Sequence, residues 1–276
     1  MATFLENNQA DASELKLLWL LFPTWAEELS FLHRIQLKTH NHVSGVSFIE
    51  GDYSGFRICS FVVGVGIEAR QFCLQLSELI LENKLFRPNL VLLAGFAGGC
   101  KKESKTGDVF FVNRILDDHQ TTIISETILV DPLFFNQNLI RVGVGVGVTV
   151  DRVATPAVKK ILGEEGADLV EMELKLVHDI FFEIMVPVFC LRVILDDLFF
   201  TVPEKLATFV QKGRLLVLPL VFFVFFNPTS VWQLFLLGFK TSLAKKKLLL
   251  ALVLLINGLG PKNRKNKEGT NFDPHI

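Results

Sequence analysis

The sequence predicts an α/β fold built on a largely parallel or mixed sheet, and three observations carry that reading. Apolar runs of strand length recur up to about Phe200. Amphipathic stretches of helical length separate them. Glycine clusters follow the ends of several runs, where an α/β chain turns from strand to helix.

Taken in order, Leu17–Phe22 is an apolar run closed by Pro23, and Trp25–Ile35 is amphipathic, giving a buried strand, a loop and a helix. Val46–Glu50 and Phe56–Ile58, around Gly51 and Gly55, predict a hairpin, with Cys59–Val63 as another central strand. Gly64-Val65-Gly66 opens a helix from Ile67 to about Asn83. Leu90–Ala94 reads as a strand running into the glycine-rich segment Gly95-Phe96-Ala97-Gly98-Gly99. The turn Thr106-Gly107-Asp108 precedes a strand over Val109–Asn113.

In Arg141–Val150, Gly143, Gly145 and Gly147 alternate with valines, so one face of that strand can pack closely while the other presents valine. Pro156 starts a helix through about Gly163, because a first-turn proline forfeits no helical hydrogen bond. Asp168–Asp179 is helical by Glu173, and the β-branched run Pro187–Ile194 is a strand leading to Asp196 and Asp197. Beyond Phe200 the alternation stops. Leu, Phe and Val dominate Leu215–Phe239, a further apolar run follows Lys245–Lys247, and Pro261–Ile276 is polar and at first basic. The expected organisation is a flexible N-terminus over 1–15, an α/β domain over 16–200, an apolar helical appendage over 201–260 and a disordered basic tail over 261–276.

Composition bounds the function. The 276 residues are 50% hydrophobic and 21% charged, enough to bury a sizeable core. A net charge of −1 supplies no basic field for nucleic acid, which is excluded as a partner. Cys59, Cys73, Cys100 and Cys190 form no CxxC pair, arguing against a zinc site or a disulfide framework and for a reducing, cytoplasmic compartment. No metal and no cofactor are expected. Mean hydropathy is high, at +0.41. Even so, Leu215–Phe226 (broken by Pro219) and Leu248–Ile256 fall short of the ~18–20 residues a spanning helix needs, and the polar start is no secretory signal.

Ligands of open α/β sheets gather at the carboxyl ends of the strands. Three segments fall there: Gly64-Val65-Gly66-Ile67, whose helix-start N–H groups suit an anion; Gly95 to Gly99, where the backbone can approach a ligand; and the loop carrying Asp196 and Asp197. Each has a plainer reading, since glycines serve ordinary turns and paired aspartates cap helices. Gly64-Val65-Gly66 lacks the rest of GxGxxG, so a dinucleotide role is not supported.

Together these strings resemble a known family. VLLAGFAGGCKKESKTGDVFFVNRI (Val91–Ile115) is similar to the GxAGGL…GDVV segment of nucleoside phosphorylases and nucleosidases. ADLVEMEL (Ala167–Leu174) resembles their VEME segment, and LRVILDD (Leu191–Asp197) their strand ending in a catalytic aspartate. The resemblance covers most of residues 16–200 and implies a three-layer αβα fold with a central mixed sheet.

It also implies roles. Asp196 would protonate purine N7, which requires a carboxyl group that holds its proton near neutrality. Glu173 would accept hydrogen bonds from ribose hydroxyls, with Met172 packing on the sugar. Arg152 and Val153 would lie beside the base. Glu28 would activate water, with Glu27 as the alternative one residue away. Gly66, Ala97 and Gly98 would surround the sugar or phosphate. The stretch from Thr149 to Glu173, with VPEKLATFVQKGRLL and the apolar C-terminal region, resembles the hopanoid-associated phosphorylase branch. That implies adenine release by phosphorolysis, phosphate as co-substrate and a lipid-linked nucleoside. Lys245–Lys247 and Lys262–Lys267 would then touch the inner face of a membrane. Nucleosidase-type hydrolysis and a weakened nucleoside-binding protein are the alternatives, and a homo-oligomer is expected. The departures are Leu195, where the family has serine, Leu174 and Lys175 after Glu173, and Phe96 in the glycine-rich loop.

Overall fold

The computed structural model of the chain describes residues 16–35, 39–117, 120–123, 142–200, 210–211, 214–215 and 230–260. The predicted α/β architecture is present. Strands β1 (Lys16–Phe22), β2 (Thr39–Val43), β3 (Val46–Tyr53), β4 (Phe56–Val62), β5 (Leu90–Gly99), β6 (Val109–Asp117), β7 (Gln120–Ile123), β8 (Val142–Thr149), β9 (Leu169–Glu171) and β10 (Val188–Asp196) form one mixed sheet. The helices are α1 (Trp25–Ile35), α2 (Ile67–Leu81), α3 (Pro156–Glu164), α4 (Leu174–Glu183) and α5 (Ser230–Leu259), and two-residue strands β11 (Val210–Gln211) and β12 (Arg214–Leu215) pair with each other.

β5 organises the sheet. Its first half pairs in parallel with β1 through Leu90–Leu93, and its far end pairs antiparallel with β9 through Gly98 and Gly99. Its other edge takes β10 in parallel. Since β10 also pairs β6, β6 pairs β8 and β8 pairs β9, these five strands close into a ring. The remaining strands extend from β1 as an open wing through β4, β3 and β2.

Helices cover both faces of the sheet, because strands buried on both sides need apolar residues at every position. In β1, Trp19 and Leu21 join a core with Ala69, Cys73 and Leu76 of α2 and Val177 and Phe181 of α4. Leu18, Leu20 and Phe22 face the opposite layer, made by Phe31 of α1 and by Ala244, Leu248, Ala251, Leu252, Leu255 and Ile256 of α5. The apolar C-terminal helix is therefore one wall of the three-layer fold. Among the described residues no helix is long and apolar enough to cross a membrane.

Several boundaries differ from the sequence reading for physical reasons. Phe56–Ile58 and Cys59–Val63 are one continuous strand, because the hairpin turns at Ser54 and Gly55, both at positive φ, and Gly51 stays inside β3. β2 went unread because THNHV is polar, and it sits on the rim. α2 stops at Leu81 because Asn83 takes a left-handed φ of 56° and Lys84 N–H closes back on the Leu79 carbonyl at 2.9 Å. β5 continues through Gly99 instead of ending at Ala94. The alternating glycines of β8 do permit close packing: Cβ atoms at Gly143 and Gly145 would each lie 3.0 Å from the Phe110 ring, and one at Gly147 would lie 2.9 Å from Val112. Residues 1–15, Leu216–Phe226, Pro228 and Lys262–Lys267 lie outside the described residues.

The placement of α5 makes a direct prediction. Leu252 is fully buried against the sheet, whereas Trp232 is 65% exposed. Leu252→Ala should cost about 2–5 kcal/mol of stability, and Trp232→Ala should stay within about 0.5 kcal/mol, both read by chemical denaturation.

Candidate active site

The site grows from one charge. Arg192 is the only basic residue of β10 and is fully buried inside the strand ring. A guanidinium in that position is tolerable only with anionic partners. Its Nη2 donates to Glu171 Oε2 at 2.5 Å and to Glu173 Oε2 at 3.0 Å. Among the described residues Nη1 has no hydrogen-bond partner.

Glu171, at the end of β9, is the scaffold of this pair. Its Oε2 also accepts the N–H groups of Glu173 at 2.8 Å and Leu174 at 2.7 Å, and its Oε1 accepts the Thr149 hydroxyl. It thereby ties the start of α4 to β8 and β9. Glu173 Oε1 takes the Gly66 N–H at 3.3 Å, across the start of α2. A Cβ on Gly66 would lie 3.5 Å from the Met172 methyl. The structure thus brings Gly66, Met172 and Glu173 together.

Glu27 completes the cluster. Its Oε2 accepts Thr24 N–H at 2.8 Å and the Thr24 hydroxyl at 2.7 Å, and its Oε1 accepts Phe96 N–H at 2.8 Å. A Cβ on Gly95 would come within 2.6 Å of Arg192 Nη1 and 2.8 Å of Glu27 Oε1. Only glycine lets these two polar atoms come so close to the β5 backbone at the same point. Glu28 does not join them. Its Oε1 accepts the Ser60 hydroxyl at 2.6 Å, and Ser60 belongs to β4 in the open wing. Consecutive helical residues point about 100° apart, so α1 can direct only one of its two glutamates toward Arg192. α1 therefore brings Glu27, the alternative one residue away, to the Arg192 cluster and turns Glu28 toward Ser60.

Asp196 closes β10 after an irregularity in pairing between Ile194 and Asp196. Its Oδ2 accepts a hydrogen bond from the buried Lys159 ammonium of α3. A Cβ on Gly98 would lie 3.4 Å from Asp196 Oδ1. The neighbouring Asp197 turns the other way, pairing Lys240 of α5 at 2.6 Å, while Lys240 also reaches the Thr106 hydroxyl at 2.9 Å. Ala97 is buried beside Ile194 in the register of β5 and β10. Arg152 is exposed and Val153 half-buried, in the loop that leaves the same end of β8 as Thr149.

Burial raises the Glu27, Glu28 and Asp196 carboxyl groups above their ordinary range, opposed by Thr24, Phe96 and Arg192 at Glu27, by Ser60 at Glu28, and by the Lys159 ammonium at Asp196. Glu173 is pushed up to about 8 by burial, with Arg192 pulling down and Glu171 pushing further up. At Asp197 burial is overcome by Lys240 and the net direction is down.

Arg192, Glu27, Glu171 and Lys159 were not singled out as site residues by sequence reasoning, apart from Glu27 as an alternative. Arg192 had a signal, since an arginine inside VFCLRVIL must find buried anions. Lys159 had none, because α3 exposes Val158 and Ile161 and buries the lysine.

Comparison with known proteins places the chain in a family. Residues 21–217 match the phosphorylase superfamily. The chain belongs to that superfamily. Among solved structures, this phosphorylase-superfamily chain resembles the 5′-methylthioadenosine/S-adenosylhomocysteine nucleosidase of Neisseria meningitidis, in complex with methylthio-immucillin-A. The TM-score is 0.64 at 17% identity, over 89% of this chain and 100% of that one. Futalosine hydrolase of Helicobacter pylori gives a TM-score of 0.62 at 17% identity, over 89% and 99%. S-adenosylhomocysteine nucleosidase of Streptococcus pyogenes gives 0.62 at 15% identity, over 90% and 99%. At these identities the likeness is one of fold. No curated protein sequence matches the chain.

A carboxyl group raised on folding disfavours the native state as it ionises, so its contribution is present at low pH and lost as pH climbs to the folded value. For Glu173 that window runs from 4.5 to about 8. Glu173→Gln should therefore gain in Tm relative to the parent chain as pH rises through this window, by thermal denaturation at a series of pH values.

Proposed function

We propose that this chain hydrolyses the N-glycosidic bond of an adenosine-like nucleoside, and the observation that carries the reading is the convergence of Glu27 and Arg192 on Gly95. A glutamate oxygen and a guanidinium nitrogen with no hydrogen-bond partner among the described residues converge on the same point of the β5 backbone. A water held between those two atoms has an acceptor for its proton and a donor to fix its orientation. Glu173 stands beside it to accept a ribose hydroxyl, with Met172 against the sugar. Asp196, across the strand end, supplies the proton that makes the purine a better leaving group. The water oxygen bonds to C1′ as the C1′–N9 bond breaks; the water proton passes to Glu27, and the Asp196 proton to N7.

Phosphorolysis, which the hopanoid-associated resemblance favours, asks more of this cluster. With Glu27 and Glu171 ionised around one guanidinium, a phosphate dianion would meet net negative charge even while Glu173 holds its proton. Each unit-charge repulsion at 4 Å is worth about 4 kcal/mol at an effective dielectric of 20. The nucleosidase names of the structural relatives point the same way. The 5′ substituent is a separate question. Trp232, Phe235 and Phe239 form an exposed ridge on α5, the first two stacked at 5.7 Å, and this favours a lipid-linked substrate taken from a membrane surface as a second reading.

Adenine release should be followed from adenosine, 5′-methylthioadenosine and a 5′-lipid-substituted adenosine on anionic vesicles, each with and without phosphate. The expected result is release that does not need phosphate. Release only with phosphate would restore the phosphorylase reading, and preference for the vesicle-borne substrate would support the second reading. Glu27→Gln should lower turnover about 10²–10⁴-fold, while Glu28→Gln should leave it within a few-fold. Because Glu27 must be ionised to act and burial raises it, activity should fall on the acid side at a pH above 4.5.

A further inference from the structure

Lys159 is buried at the fourth position of α3, where the helix turns Val158 and Ile161 outward at 41% and 55% exposure. An ammonium turned inward in preference to two apolar neighbours requires strong compensation. It has three acceptors: Asp196 Oδ2, the Asp197 carbonyl at 3.1 Å and the Phe200 carbonyl at 3.2 Å. An ammonium has three hydrogens, so all are used. Gly98 makes the approach possible, since a Cβ there would lie 3.0 Å from Lys159 Cε. With Oδ2 engaged, Oδ1 is the oxygen left beside Gly98. Residue 195 has no hydroxyl with which to orient the carboxyl group. The Leu195 side chain packs into the layer under α5, and its carbonyl accepts the Thr106 hydroxyl at 3.1 Å.

We propose that Lys159 is the positioning residue of Asp196, fixing the orientation of its carboxyl group and stabilising the carboxylate left when the proton moves to the leaving purine. The proposal rests on the nucleosidase reading above. In the step, the Oδ1–H bond of Asp196 breaks as N7–H forms, and the C1′–N9 electron pair goes to the purine. The new carboxylate stays against Lys159, which keeps all three hydrogens. The other ionisable groups around Asp196 are Asp197, its partner Lys240 from α5, and Cys100 at the end of β5. Burial pushes the Cys100 thiol up to about 12, so it remains neutral. Lys159 is thus the cation in direct contact with Asp196.

The test compares Lys159→Met and Lys159→Gln, which remove the charge, with Lys159→Arg, which retains it. The glutamine variant keeps N–H donors for the two carbonyls and serves where the methionine variant does not fold. Without the cation, kcat should fall about 10²-fold with KM little changed. The alkaline limb of the kcat profile should move up by about one to three pH units, because an adjacent opposite charge lowers a carboxyl group by that much. The arginine variant should keep the limb near its original place. In parallel, the Asp196 carboxyl carbon is titrated by 13C NMR in unliganded protein, assigned with Asp196→Asn. Its transition should move up in the neutral variants. An alkaline limb and an Asp196 titration both unmoved in the neutral variants would overturn the proposal, leaving Lys159 a packing residue. Undiminished turnover by Asp196→Asn would instead sink the nucleosidase reading, and the NMR titration would still decide whether Lys159 governs Asp196.

Discussion

A guanidinium sealed inside a ring of strands dictates much of what surrounds it. Arg192 has no exposed surface, so the chain must bring acidic side chains to it, and it does so from separate parts of the sequence. Glu171 and Glu173 arrive at the turn from β9 into α4, and Glu27 arrives on α1. Removing one partner of such a buried pair typically costs about 3–5 kcal/mol, because a charge is left uncompensated. The ring closure of β5, β10, β6, β8 and β9 brings β9 back to the end of β5, and with it Glu171 and Glu173 to the strand that carries Arg192. Gly95 is the complementary constraint, since any side chain there would occupy the space where Glu27 and Arg192 approach.

The second charged pair lies at the strand end. Lys159 and Lys240 reach adjacent aspartates from different layers, Lys159 from α3 and Lys240 from α5. The Lys240 ammonium also sits 4.9 Å from the Phe200 ring centre, and Lys159 holds the Phe200 carbonyl. The segment from Asp196 to Phe200 is consequently gripped from both sides. This joins the apolar C-terminal helix to the candidate site: α5 buries the sheet face with its leucines and alanines while its Lys240 pairs with Asp197 beside Asp196. On the proposed mechanism such an arrangement suits Asp196, with burial raising its carboxyl group and a fixed cation beside the charge that forms.

Much of this was legible in the sequence because it rests on local pattern. The apolar runs of β1, β5 and β10 are buried on both faces and have few alternatives, and Pro156 marks the start of α3 to the residue. Glu173, Met172, Gly66 and Asp196 were named as candidates through motifs in the sequence, and the structure places Gly66, Met172 and Glu173 beside one another. What escaped depended on long-range geometry. Choosing between Glu27 and Glu28 needs the rotation of α1 against the sheet, which periodicity leaves ambiguous for adjacent residues. Lys159 looks like an ordinary surface lysine until Gly98 and Asp196 are placed around it. β2 is too polar to read as a strand, because a rim position asks little of its side chains. Leu195 looked like the loss of an orienting hydroxyl, whereas the structure supplies an ammonium from another helix.

The central claim is that a water held between Arg192 and Glu27 becomes the nucleophile. Turnover of an adenosine-like substrate in 18O-labelled water, with saturating phosphate present, tests it most directly. The account predicts free sugar carrying one 18O at C1 and no sugar 1-phosphate. Unlabelled sugar 1-phosphate as the product would contradict it and assign Arg192 and Glu27 a different role.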